Sequence, residues 1–420
     1  LTRENINMPI SQENFNKLGR YLENGHQLVR GIKAIAEDQM PPRRYKGEEL
    51  VELVGAKVNT IYMAEKEGRL PSPDLDPNTH RRLGATLEQV LVMQEYFGTR
   101  PWRRPEEAAV VMSFTNFKGG CWKTTTSWYA GSYYANLGYR VLFVDLDPQA
   151  SLTYNCGILP DFETSHEQSL GPYILEEEGF PASWAKQVIR DTHLPNLKII
   201  PSTLQLAGVE YALSNAIMEA RSESDRLSKM MHWFHRVKDI VNEVKADFDI
   251  VIMDGTPSLG LLPLNIIFAS DAVVVPVPTE ITDFASTLSF GDLYKDQSET
   301  LYQTFGDDVV LPDMLFLPTR FSASEKTATL GSEFVLEQIR KTFSTDCMQS
   351  VIKKHEAVVS NLSLMRRTVF DVNAGDANVN REARKRAMAN FKTVFDEILE
   401  RAVYPRWPSK KAVLEEKGIY

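Results

Sequence analysis

Cysteine is scarce in this chain of 420 residues: Cys121, Cys156 and Cys347 lie far apart, with no C-x-x-C pair and no histidine close to any of them. Neither a disulfide framework nor a zinc site fits that spacing, and three reduced thiols are expected. Long apolar runs are missing as well. Nothing approaches the roughly 18 consecutive apolar residues of a membrane span, and the first residues are neither basic-then-apolar nor cleavable in appearance. The end of the chain, "YPRWPSKKAVLEEKGIY", is too polar and too broken by proline for a membrane-surface helix. Internal repeats and low-complexity tracts are absent. Together these absences lead to the expectation of a cytoplasmic protein without membrane partners.

Hydrophobic residues make up 43% of the chain and charged ones 25%, a soluble globular composition, and the length suggests two or three domains. The net charge is −9, yet residues 1–105 carry 16 Lys and Arg against 14 Asp and Glu. The front is thus slightly basic and the remainder acidic, a mild pointer to nucleic acid at the front end.

Residues 11–39 contain no proline, and Phe15, Leu18, Tyr21, Leu22, Leu28, Val29, Ile32 and Ile35 recur at helical spacing, predicting a long amphipathic helix ended by Pro41 and Pro42. Its apolar stripe must be buried against its own domain or against a second copy; dimerisation through residues 1–40 is the expectation. In "YKGEELVELVGAKVNTIYMAEKEGRLPSP", Leu50, Val51 and Val54 make one short apolar face, Gly55 allows a sharp turn, and Ile61 with Ala64 makes a second face. This is the pattern of a helix-turn-helix, with Lys57, Asn59, Thr60 and Tyr62 on the outer side of its second helix. Arg81 and Arg82 lie in a polar loop suited to a wing on phosphates, and Thr86 with Gln89 reads as a capping box. A small helical domain with solvated charges has the same pattern; DNA reading by a winged helix-turn-helix over residues 41–105 is the expectation taken forward. "GTRPWRRPEE", residues 98–107, reads as a linker.

Beyond it, short β-branched apolar runs alternate with helix-length segments: "AVVMSF" (109–114), "RVLFVDLD" (140–147), "LKIIP" (197–201), "FDIVIMD" (248–254), "DAVVVPVP" (271–278) and "VVLPDMLFLPT" (309–319). Runs apolar on both faces belong to a parallel sheet covered by helices, so residues 106–420 are expected to be an α/β domain with its ligand at the carboxyl ends of the strands. The first run leads into "NFKGGCWKTTTS", residues 116–127, a Gly-rich turn opening a helix. Such a turn aims backbone N–H groups, here those of Gly119, Gly120, Cys121, Trp122 and Thr125, at an anion. Lys123 would reach the β- and γ-phosphates and Thr124 would bind Mg²⁺ through its hydroxyl. The usual form puts glycine before that lysine, where this chain has Trp122. Since a side chain is present there, the backbone is expected to stay outside the region that favours glycine. Asp145, Asp147 and Asp254 end two further strands. One such aspartate is as readily a turn former, but three beside a phosphate loop suit a Mg-nucleotide.

The series K-G-G-x-x-K-T-T, V-D-L-D-P-Q, I-V-I-M-D and D-A-V-V-V-P-V-P, over about residues 109–404, resembles the deviant Walker A ATPases and, among them, the ParA proteins of DNA partition. The long helix and winged module in front look like the larger plasmid-type members. The resemblance implies Lys118 as a signature lysine that crosses a dimer interface to the partner's nucleotide, Asp147 orienting the attacking water, and Asp145 and Asp254 around Mg²⁺. It implies ATP and Mg²⁺ as cofactors, slow hydrolysis stimulated by a ParB-like centromere-binding protein, an ATP-bound homodimer on nonspecific DNA with polymers on DNA as an option, and a nucleoid-associated location. "NLSLMRRTVFD" resembles the stretch that supplies DNA-binding arginines, so Arg366 and Arg367, joined by Lys353 and Lys354, are candidates, equally readable as a solvated basic turn. "FLPTRF" lies where the family lines its adenine pocket, making Thr319 a candidate contact. Cys121–Trp122 departs from the commoner Val-Gly, and "DGTPSLG" from the family's frequent double proline. A MinD-like membrane-cycling ATPase, a nitrogenase-type iron protein and a transcription regulator with a vestigial nucleotide fold are the rival readings. The tail argues against the first, the cysteine spacing against the second, and Lys123, Thr124 and Asp147 against the third.

Overall fold

The computed structural model describes residues 12–38, 41–116, 118–256, 260–306, 310–322, 331–373, 375, 379–416 and 418. It divides into two compact units, Leu1–Pro41 and Pro42–Tyr420. The first holds a 27-residue helix, α1 (Gln12–Asp38). Its apolar stripe lies in the open, with Phe15, Leu18, Tyr21, Leu22 and Leu28 each more than half exposed. The side chains of Ile32 and Ile35, which complete the stripe in the sequence, lie outside the described residues.

The second unit begins with α2 (Gly47–Val54), α3 (Val58–Lys66) and α4 (Leu87–Phe97). Gly55 takes a left-handed conformation, φ 69°, and its N–H donates to Val51 O at 2.8 Å, turning the chain from α2 into α3. Leu50, Val54, Ile61 and Ala64 are buried, so the two short apolar faces meet as their spacing predicts. Between α3 and α4 the chain doubles back through an antiparallel bridge from Leu75 to Arg82, in the loop expected to be a wing, and a second bridge joins Tyr45 to Ala85. Thr86 and Gln89 cap α4 reciprocally, with both the side-chain and the backbone bond present.

The remaining chain builds one seven-stranded sheet from β1 (Val110–Phe114), β2 (Val141–Leu146), β3 (Arg190–Asp191), β4 (Leu197–Ile200), β5 (Ile250–Gly255), β6 (Ala272–Pro278) and β7 (Asp313–Thr319), in the order β3-β4-β2-β5-β1-β6-β7. All neighbours are parallel except β3, which runs antiparallel on β4. Each of the six runs read from the sequence contains a strand, and every residue of β1, β2, β5 and β6 is buried, as two covered faces require. The helices between and after them are α5 (Lys123–Leu137), α6 (Ser151–Asn155), α7 (Gly171–Leu175), α8 (Ala207–Met218), α9 (Glu223–Val244), α10 (Leu261–Phe268), α11 (Ile281–Phe305), α12 (Ser332–Phe343), α13 (Glu356–Leu364), α14 (Arg381–Ile398) and α15 (Lys411–Glu416).

The segment read as a linker is itself laid onto this body: Trp102 Nε1 donates to Gly138 O at 2.9 Å and Arg103 Nε to Phe248 O at 2.9 Å. So is the end of the chain. Trp407 is fully buried, and its Nε1 donates to Ala108 O at 2.9 Å. None of the described helices is long and apolar enough to cross a membrane.

Candidate nucleotide site

Strand register brings the sequence-predicted carboxylates together. β5 lies between β1 and β2, and Asp254 pairs with Phe114 on one side and Asp145 on the other, so the loop after β1 and both aspartates share the carboxyl end of the sheet. The loop then enters α5. Asn116, fully buried, holds its base: Nδ2 donates to Pro276 O (2.9 Å) and Thr287 Oγ1 (3.0 Å), while Oδ1 accepts from Lys118 N (3.1 Å).

Two consecutive-turn residues take left-handed conformations, Gly120 at φ 76° and Trp122 at φ 72°. The second corrects the expectation for Trp122. The loop keeps the backbone that glycine normally provides and imposes it on tryptophan, a cost of about 1–2 kcal/mol that the surrounding fold must offset. Trp122 itself is half-buried at the N-cap of α5. Cys121 is buried, its Sγ within 3.1 Å of Lys118 O, and burial pushes its thiol up.

Both lysines are engaged within the chain. Lys123, 6% exposed, donates from Nζ to Lys118 O at 3.0 Å. Lys118 points to Asp283 at the start of α11, with Nζ 3.4 Å from Oδ1. Thr124 Oγ1 donates to Asp254 Oδ2 at 2.6 Å, and Ser127 Oγ approaches Asp254 Oδ1 at 3.3 Å. Asp145 accepts from Thr153 N (2.8 Å), Thr153 Oγ1 (2.6 Å) and Asp147 N (3.1 Å). Burial pushes the Asp145 carboxyl up to about 7. Burial, with Asp145 adding to it, pushes Asp254 up to about 8. A buried, like-charged carboxylate pair beside a hydroxyl is a set of hard oxygens short of positive charge. Mg²⁺ asks a protein for one or two such oxygens and takes the rest from phosphates and water. The donor set therefore fits Mg²⁺. Asp147, 7% exposed, sits at the turn after β2 with Oδ1 on Gln149 N at 2.9 Å.

Thr319 ends β7 in register with Pro278; it is fully buried, and its hydroxyl has no hydrogen-bond partner among the described residues. The neighbouring Arg320 faces Glu280 (3.4 Å), Glu356 (3.7 Å) and Asp283 (4.0 Å). Sequence reasoning missed Asn116, Ser127, Thr153 and Asp283. Thr153 had a legible signal in standing one short turn beyond "VDLDPQ"; the others have none without the strand order.

The DNA candidates divide. Lys57, Asn59, Thr60, Tyr62 and Arg81 are exposed on the winged module, as their spacing predicts. Arg82 is exposed as well; its guanidinium stacks 3.7 Å above the Tyr62 ring and pairs with Glu65, whose side chain is 4% exposed, which ties this loop to α3. Arg366 departs from the expectation. It is 3% exposed, left-handed at φ 51°, and lies 4.5 Å from the Tyr154 ring, so its charge is turned inward. Arg367 is half-buried, Lys353 exposed and Lys354 half-buried. The residues of "DGTPSLG" numbered 257–259 lie outside the described residues.

Comparison with known proteins agrees with this geometry. A family model described as an AAA domain matches residues 109–291. Protein SopA of Escherichia coli (strain K12) is 32% identical over 400 residues, covering 93% of this chain and 98% of its own. The sporulation initiation inhibitor protein Soj of Bacillus subtilis (strain 168) is 30% identical over 58% of this chain and 84% of its own. Among solved structures, one titled a partition protein shares the fold with a TM-score of 0.60 at 17% identity, covering 92% of this chain and 98% of its own. A McdA–ATP complex from Cyanothece shares it over 70% of this chain and 97% of its own, with a TM-score of 0.52 at 15% identity. A phosphate loop with two lysines, carboxylates at the ends of the adjacent strands and relatives of full length place this chain in the ParA-type family of plasmid partition ATPases.

Proposed function

We propose that the chain is a Mg-ATP-dependent DNA partition ATPase whose nucleotide state sets its assembly and its grip on DNA. The observation that supports this most directly is the convergence of Thr124 Oγ1, Asp254 and Asp145 at the ends of two adjacent strands beside the loop. ATP fits that loop, and the Cyanothece neighbour was solved with it. Backbone N–H groups of residues 119–125 cradle the phosphates, Lys123 exchanges its loop carbonyl for phosphate oxygen, and Thr124 and Asp254 hold Mg²⁺ with Asp145 behind them. Mg²⁺ supplies charge neutralisation at the phosphates. Asp147 orients the attacking water.

Lys118 leaves Asp283 and reaches the nucleotide of a second subunit, so that two positive side chains meet the phosphates only when two loaded copies face each other. Hydrolysis is slow because the charge clamp is incomplete until a ParB-like partner completes it. The three regions 1–40, 41–105 and 106–420 serve as dimerisation helix, operator-reading winged helix-turn-helix and ATPase. Lys57, Asn59, Thr60, Tyr62, Arg81 and Arg82 contact operator DNA for autoregulation, while Arg367 with Lys353 and Lys354 contacts nonspecific DNA. The protein then works in the cytoplasm on the nucleoid.

Sedimentation of wild type and Lys118→Ala with Mg-ATP tests the central step. Wild type is expected to dimerise with ATP and the variant to bind nucleotide without dimerising; equal assembly of both ends the cross-subunit role of Lys118.

A further inference from the structure

The winged module is fastened to the far end of the helix that carries the phosphate loop. Tyr45, 1% exposed, pairs through its backbone with Ala85 in both directions (2.8 and 3.0 Å), and its hydroxyl donates to Asn136 Oδ1. Asn136 occupies the last turn of α5, 4% exposed, and its Nδ2 donates to Ser132 O at 2.7 Å and to Asp371 Oδ1 at 3.1 Å. The other oxygen of Asp371 accepts from Thr368 N (2.8 Å) and Thr368 Oγ1 (2.7 Å) and lies 3.6 Å from His193 Nε2. Around this chain of buried groups, Gln94 donates from Nε2 to both Leu53 O (2.8 Å) and Leu137 O (2.9 Å), and Arg44 N donates to Asn373 Oδ1 (2.7 Å). Three parts of the fold thus meet at one buried polar joint: the winged module, the end of α5 and the segment that carries Arg367.

We propose that Tyr45, Asn136 and Asp371 are positioning residues that transmit the nucleotide state of the loop to the winged module. The inference rests on nucleotide binding at the loop as proposed above. At the front of α5, Lys123 and Thr124 are held by Lys118 O and Asp254, and loading the site requires both to change partners. Every residue from Thr126 to Asn136 is buried. A close-packed rod of 15 residues, about 22 Å long, passes a displacement to its far end instead of absorbing it. There the hydroxyl, amide and carboxylate stay paired because separating buried partners is costly, so the module follows the helix. The same carboxylate holds Thr368, next to Arg367, so the basic segment follows too.

Hydrogen–deuterium exchange of the full chain, free and with Mg-ADP or Mg-ATPγS, tests this without knowledge of an operator. In wild type, nucleotide is expected to slow exchange over residues 118–124 and to change it by about threefold or more over residues 45–66. In Tyr45→Phe the first effect stays and the second is lost, with a melting temperature within a few degrees of wild type. Asp371→Asn, which keeps the side-chain shape, is expected to behave alike and stands in if Tyr45→Phe does not fold. A variant whose winged module responds as in wild type overturns the inference, as does a wild type that responds at 118–124 and nowhere in 45–66. A wild type silent at both places fails the nucleotide reading itself, and the inference falls with it.

Discussion

The phosphate loop and the outer face of the winged module carry chemistry in opposite ways. At the loop, each group that matters is already engaged: Lys123 with a carbonyl, Thr124 with Asp254, Asp145 with Thr153, Lys118 with Asp283. On the winged module, Lys57, Asn59 and Thr60 stand in solvent, and the module's internal order is kept by others, namely Arg82 with Glu65 and the capping box at Thr86. A site that must be emptied of its own contacts before it binds can act as a switch. A surface that already stands open would, if it takes DNA as proposed, act as a reader.

Five variants probe that contrast. The largest effect is expected for Lys123→Ala, which should lower the hydrolysis rate by about 10²–10³-fold or more, measured as phosphate release with Mg-ATP and DNA. Next comes Gly131→Ala, on the face of α5 toward β2, where a Cβ would stand 2.2 Å from two ring carbons of Phe143. The helix cannot approach the sheet as closely, and urea unfolding should show a loss of about 2–3 kcal/mol. Lys57→Ala with Asn59→Ala should weaken specific binding by about 10-fold or more while leaving stability within about 0.5 kcal/mol and ATP-dependent binding to random duplex nearly intact. Equal loss on both duplexes would erase the distinction between reader and switch. The smallest effect separates two adjacent arginines: Arg367→Ala should reduce the salt slope of random-duplex binding by about one without loss of stability. Arg366→Ala, inside the fold, should lower the melting temperature instead.

Much of this was legible in the residues because it depends on short-range pattern. Fully apolar runs gave six of the seven strands, Gly55 and the Thr86–Gln89 pair fixed the ends of two helices, and Asp145 and Asp254 were placed by the strands they terminate. What escaped depends on residues distant in sequence. β3 is only two residues long and exists because β4 offers an open edge. Arg366 reads as a surface charge until Tyr154, more than 200 positions earlier, is seen beneath it. Asp283 becomes a partner of Lys118 only because β6 lies next to β1, which no local periodicity reveals. Trp122 escaped for a different reason: propensity argues against a left-handed tryptophan, and the loop overrides propensity.

That tryptophan has a practical consequence. An indole at the N-cap of α5, half open to water and directly before the lysine assigned to phosphate, is an intrinsic fluorophore at the mouth of the loop. Its emission should shift as the site fills, so that loading and release are followed in real time on unlabelled protein, with Trp122→Phe as the dark control for the other five tryptophans.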